Sequence, residues 1–180
     1  MFGSDGLFEG QSKACKGATA MELSPSAGRV QRALETSGLT LRVVELPAST
    51  RTVVEAARAV GCEIGQIVKS LIFKTGRSER PILVLASGAN RVDEKKIEAH
   101  IGEELLKADA NFVRHHTGFA IGGIPPIAHA QKIETFFDED LLQYGEIWAA
   151  AGTPHAVFQI APTELLRLTE AKVEKIAAAG

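Results

Sequence analysis

Cysteine is nearly missing: the 180 residues hold two, Cys15 and Cys62. Two thiols this far apart supply neither a disulfide framework nor a CxxC metal site, so a reducing cytosol is the simplest setting. No apolar run reaches the roughly 18 residues of a membrane span, and no basic stretch followed by an apolar core opens the chain, so neither a span nor a secretion signal is expected. An excess of charge is absent too: 20 Lys and Arg stand against 22 Asp and Glu. That balance argues against a protein that coats duplex DNA or an anionic membrane. One Trp and one Tyr leave little for a basic surface interleaved with aromatics. What is present is 45% hydrophobic residues, at a length where one core buries roughly 70% of the unfolded chain's surface. One compact domain follows, needing neither disulfide nor structural metal.

Residues 1–20 are rich in Gly, Ser, Ala and Lys without any period, and Met21 follows them. Residues 1–22 therefore read as a flexible tail and residues 23–180 as the domain. Ser24 and Pro25 open a helix with Val30, Ala33 and Leu34 on one face and Gly38 as its stop. Residues 41–46 alternate as a strand, and Thr52 and Glu55 have the spacing of a capping box for a helix ending near Gly61. Residues 66–74 and 81–87 form a strand pair across the TGRSER turn. Asn90 or Asp93 caps a short helix through Ile97, and a further helical stretch is expected near Glu103 to Lys107. A short strand is expected at residues 110–113. The irregular segment from His116 to His129 precedes a strand at 132–138, two more flank Gly152 to Pro154, and Pro162 opens an amphipathic helix. Helices and strands mix without regular βαβ alternation, which predicts an α+β domain with a mixed or largely antiparallel sheet.

Three segments can carry chemistry. Lys69 sits in GQIVKSLIF, where alternation puts it on one face with Ile67, Leu71 and Phe73. A lysine in a strand is commonly a solvent-facing charge. Among apolar neighbours its ammonium instead needs a carbonyl or an anion to receive it. The Gly122-Gly123-Ile124-Pro125-Pro126 loop, preceded by Thr117-Gly118, lets backbone N–H groups approach a ligand while the prolines stiffen it. It fits neither a P-loop nor GxGxxG. Gly152-Thr153-Pro154-His155 is turn chemistry that could also present His155 to a substrate. His100, His115, His116 and His129 lack metal-ligand spacing, and in an extended segment His115 and His116 would face opposite ways, so no metal is expected. No GxSxG elbow occurs, and Cys62 reads as a small residue after a helix end.

Taken together, GCEIGQIVKSLIFK, TGFAIGGIPPIAH and AAGTPHAVFQIAP resemble the YbaK/ProX family, free-standing relatives of the editing domain of bacterial prolyl-tRNA synthetase. The resemblance spans roughly Leu23 to Ile176. It implies a single α+β domain with a barrel-like sheet flanked by helices, and hydrolysis in trans of the ester of mischarged aminoacyl-tRNA. Lys69 matches the family's essential lysine, and Gly122 to Pro126 matches its GxxxP loop. His155 lies where some members place a substrate-positioning histidine. This implies Lys69, Gly122, Gly123 and Ile124 as catalytic groups, with Thr117, Gly118, Pro125, Pro126, Gly152 and His155 as substrate-binding. No cofactor is implied. Ala128 stands where many relatives have glycine, and Pro125 replaces a common serine, two departures that bear on the amino acid accepted.

The resemblance implies the aminoacyl-tRNA 3′ end as partner, with a synthetase or elongation factor as a second one, and a cytoplasmic location without membrane. Sequence-specific duplex DNA is not expected. Two other classes stay open: a non-catalytic tRNA-binding module and a small-molecule binding protein. Residues 69–96 hold seven basic groups against three acidic, while 134–146 hold five acidic and no basic one. A short positive rim around Lys69 is enough for an enzyme that grips only a 3′ end.

Overall fold

The computed structural model describes residues 22–179; residues 1–21 of the expected tail lie outside them. Helix α1 (Pro25–Thr36) starts on Pro25 and buries Ala27, Val30 and Leu34, a stripe of helical spacing. Ser24 precedes it without capping it: its hydroxyl donates instead to Glu45 Oε1 at 2.5 Å, tying the helix to strand β1 (Val43–Glu45). Helix α2 (Val53–Val60) carries the expected capping box. Glu55 N–H donates to Thr52 Oγ1 at 3.2 Å and Thr52 N–H to Glu55 Oε2 at 3.1 Å, and left-handed Gly61 ends the helix.

Strands β2 (Ile67–Thr75) and β3 (Pro81–Ser87) pair antiparallel from Val68 opposite Ser87 to Lys74 opposite Pro81. Helix α3 (Glu94–Ile101) follows, capped by Asp93, whose side chain accepts from Lys95 N–H. Then come β4 (Leu105–Lys107), α4 (Ala110–Thr117), β5 (Glu134–Asp138), β6 (Ile147–Ala150), β7 (Ala156–Ile160), α5 (Pro162–Thr169) and β8 (Lys172–Glu174). The strand order is β1-β7-β6-β2-β3-β5-β8, with β4 joined to β2 off this path. β2–β6, β3–β5 and β5–β8 are parallel and the other pairings antiparallel, so the single domain has a genuinely mixed sheet.

Two expected elements are reversed. Residues 105–107 are strand rather than helix, because the edge of β2 at Phe73 to Thr75 pairs with them and outweighs the local propensity of Glu-Leu-Leu-Lys. Residues 110–117 are helix rather than strand: Asp109 accepts from Phe112 N–H at 2.9 Å as N-cap and Gly118 closes the end in the left-handed region. His115 and His116 thus sit on a helix, contrary to the extended geometry assumed for them. Strand β8 was not anticipated.

The sheet's two faces carry separate cores. Val68 and Ile72 of β2 pack with Leu83, Leu85, Phe137 and Phe158, while Phe73 packs with Ile82, Val84, Ile97 and Phe136 under α3. β2 is central to both, and one of its edges is interrupted. β6 pairs with it only at Ile67 and Val68, and β4 only at Phe73 to Thr75. Residues 69–72 have no strand partner on that side.

Candidate functional site

The interruption in β2 opens into a cleft of about 850 Å³. Its floor is β2 from Ile67 to Phe73, with Trp148 to Ala150 of β6 on one side and Lys107 and Ala108 on the other. Both faces of β2 reach it because nothing closes the strand edge between them. Ile67 accepts from Gly88 N–H, and Thr75 N–H donates to Arg80, so odd-numbered residues turn their backbone groups toward β3. Alternation then turns those of Ser70 and Ile72 toward the cleft side. Val53, Ala56 and Val60 of α2 add an apolar wall, and Arg51, Glu94 and Lys107 put charges at the lining.

Lys69 lines this cleft half-buried, and its ammonium donates to the backbone carbonyl of Asn90. A carbonyl therefore receives it, one of the two recipients the sequence pattern called for, but the carbonyl belongs to the protein. Removal from water pulls the Lys69 pKa down from the ordinary lysine value, and the nearby Asp138 charge opposes that shift.

Gly122, Gly123 and Ile124 line the same cleft. Gly152 N–H donates to the Gly123 carbonyl at 2.9 Å, and a Cβ on Gly123 would lie 2.6–2.8 Å from the Thr153 backbone. Two glycine motifs some 30 residues apart in the chain are thus locked backbone to backbone, a contact only glycine permits. Gly122 takes a positive φ of 98° and Gly152 one of 93°. Among the described residues no protein acceptor takes the N–H groups of Gly122, Gly123 or Ile124. Gly123 and Ile124 are buried, so free donors there are costly unless a ligand accepts from them.

The remaining sequence candidates do not line the cleft; several brace the loop. Thr117 is fully buried, with its hydroxyl donating to the Val113 carbonyl at 2.7 Å and accepting from Phe119 N–H at 3.0 Å. The Arg29 guanidinium donates to the carbonyls of Gly118 (3.1 Å) and Ala128 (3.0 Å) and lies over the Phe119 ring. Pro125 and Pro126 are buried, and the Pro125 carbonyl accepts from His129 Nε2 at 2.7 Å. Burial is the main cause holding the His129 pKa below the ordinary histidine value, and its Nε2 is the donor because a carbonyl can only accept. Ala128, one of the two expected departures in this loop, sits at φ 65°, the backbone region glycine adopts freely. His155 is exposed beside the Ala48 carbonyl, away from the cleft lining. Sequence reasoning missed Arg51, Ser70, Glu94 and Lys107, because nothing local marks a residue that only the interrupted sheet gathers.

The cleft thus joins one desolvated cation, a rigid loop of unclaimed N–H donors and apolar walls. Among the described residues no three His, Cys, Asp or Glu side chains converge as a metal site would require. No helix of the described residues is long and apolar enough to cross a membrane.

Comparison with known proteins adds the rest. The family described as aminoacyl-tRNA editing domain matches residues 47–168. YwhH of Bacillus subtilis, itself uncharacterised, is 31% identical over 131 residues, 73% of this chain and 83% of that protein. EbsC of Enterococcus faecalis, a candidate Cys-tRNA(Pro)/Cys-tRNA(Cys) deacylase, is 27% identical over 121 residues, 67% of this chain and 73% of its own length. A crystal structure solved as a candidate trans-editing enzyme for prolyl-tRNA synthetase superposes with a TM-score of 0.83 at 53% identity. It covers 88% of this chain and 100% of that one.

Proposed function

The chain belongs to the aminoacyl-tRNA editing domain family, and from that premise and the cleft we propose that it is a trans-acting deacylase that hydrolyses the ester of mischarged tRNA. The observation that carries this reading is the Gly122 to Ile124 loop: free N–H donors fixed by packing on the Gly152–Thr153 turn, in the same cleft as Lys69.

Ester hydrolysis places negative charge on the carbonyl oxygen as water adds. Preorganised N–H groups of the loop stabilise that oxyanion without rearranging. Lys69 holds the carbonyl region or the terminal phosphate. An aminoacyl ester is already activated, so no side-chain nucleophile is required: the water oxygen bonds to the carbonyl carbon, the bond to the ribose oxygen breaks, and that oxygen takes a proton, with the vicinal ribose hydroxyl as relay. Holding ester and water in near-attack geometry is worth several kcal/mol on its own. The apolar wall of Val53, Ala56 and Val60 suits a small aliphatic or thiol side chain. Handover from a synthetase is in keeping with the relative described as working for prolyl-tRNA synthetase.

Incubation with tRNAs charged with Ala, Ser, Thr and Cys tests the reading. At least one should lose its amino acid faster than spontaneously, and Lys69→Ala should slow that by about a hundredfold, the loss expected of one transition-state contact. A wild-type protein that binds tRNA and leaves every ester intact is the binding module instead.

A further inference from the structure

Lys69 is held from behind by a network that the deacylase reading does not use. Its ammonium donates to the Asn90 carbonyl, and the side-chain amide of the same Asn90 donates to Asp138 Oδ2 at 2.8 Å and to Asp140 Oδ2 at 2.6 Å. Asp138 is fully buried and also accepts from Ser87 N–H at 3.0 Å and Asp140 N–H at 3.2 Å. These contacts are all N–H donors, which the carboxyl oxygens accept. None of its hydrogen-bond partners is a cation. An acidic side chain buried at no exposure and held by neutral donors alone favours a cation nearby, and the one this network reaches is the ammonium on the other side of Asn90.

We propose that Asn90, Asp138 and Asp140 are the positioning residues of Lys69, with Asn90 as the coupling piece that fixes the ammonium in the cleft and Asp138 as the charge that keeps it an ammonium. This rests on the deacylase reading of the cleft. Asn90 suits the task because one residue offers an acceptor to the lysine and two donors to the carboxylates. The other charged groups in the cleft are Arg51 before α2, Glu94 in the first turn of α3 and Lys107 of β4. Removal from water acts against the charged lysine, and Asp138 is the group that acts for it. Deleting the Asp138 charge therefore lets Lys69 lose its proton at lower pH.

Reductive 13C-dimethylation of the full chain, followed by NMR titration, reads this directly, with the Lys69 resonance assigned by its absence in Lys69→Arg. The Lys69 midpoint should fall in Asp138→Asn and fall less in Asp140→Asn. The alkaline limb of kcat/KM for deacylation should move to lower pH in the same order. Asn90→Ala keeps the carbonyl but frees it to swing, and kcat should drop about tenfold, the worth of a hydrogen bond to a charged group. Should Asp138→Asn fail to fold, the half-buried Asp140→Asn carries the charge test. An unmoved Lys69 midpoint in the folded variants overturns the proposal. A midpoint that moves in a protein that deacylates nothing upholds the network and overturns the deacylase reading.

Discussion

Gly123 shows how much can depend on one missing side chain. Its absent Cβ lets the loop backbone touch the Thr153 backbone, and the touch fixes the loop that lines the cleft. In Gly123→Ala the added carbon meets backbone atoms at 2.6 Å, which no side-chain rotation relieves. The substitution should cost about 1–3 kcal/mol of stability, seen as a lower melting temperature, and deacylation should fall with it. Gly122→Ala separates the two effects: there the nearest atoms are at 3.8 Å and belong to the flexible Arg51 side chain, so its cost comes from forcing alanine to a φ of 98° and not from a backbone contact. A Gly123→Ala protein with wild-type melting and wild-type rate would mean that the contact holds nothing in place. Lys69 and the glycine loop were legible in the sequence because an ammonium in an apolar strand and paired glycines are locally anomalous. Asn90 was legible only as a helix cap. Asp93 takes that task, and the contacts that define Asn90 lie 48 and 50 residues away.

Among elements, the long ones with their own punctuation were readable: α2 from its capping box, β2 and β3 from their apolar runs and turn. The three-residue strands were not. β4 is made strand by the edge it meets, and β8 by Phe136 to Asp138 beside it, so neither carries its own signal. The same logic explains why the cleft could not be foreseen, since it consists of the four residues of β2 that β6 and β4 both fail to reach. Hydrogen exchange should expose this. The amide of Ser70, in the middle of a nine-residue strand, should exchange faster than those of Leu71 and Phe73, which face β3. A non-hydrolysable aminoacyl-adenosine should slow it. Uniform protection along β2 would mean that its open edge is closed in solution.

For the whole molecule, charge balance takes on a different meaning once folded. The basic stretch 69–96 and the acidic stretch 134–146 are neighbours through β3 and β5, and they partly neutralise each other. Arg80 pairs with Glu134 at 3.0 Å and Lys69 faces Asp138 through Asn90, while Lys74 pairs within its own stretch with Glu79 at 2.5 Å. The positive rim expected from sequence is therefore smaller than its seven charges, and Arg51 and Lys107 supply cations that the sequence did not single out. A grip on so few phosphates has a shallow salt dependence. Binding of a charged tRNA should weaken with a log–log slope of about −1 to −2, at roughly 0.7 per single-strand phosphate. A slope several times steeper, measured by fluorescence anisotropy across a salt series, would point to contacts far along the acceptor arm.

The unpaired edge of β2 and the free N–H groups of the glycine loop share one property: they are main chain. Every residue type except proline carries the same groups, so a side-chain substitution can misplace these donors and acceptors, as at Gly123, but does not remove them. Such a site can exchange its walls, and with them the amino acid it accepts, while its polar frame is inherited unchanged. Short of proline, only backbone chemistry, an ester in place of the amide at Ile124, would take one of those donors away.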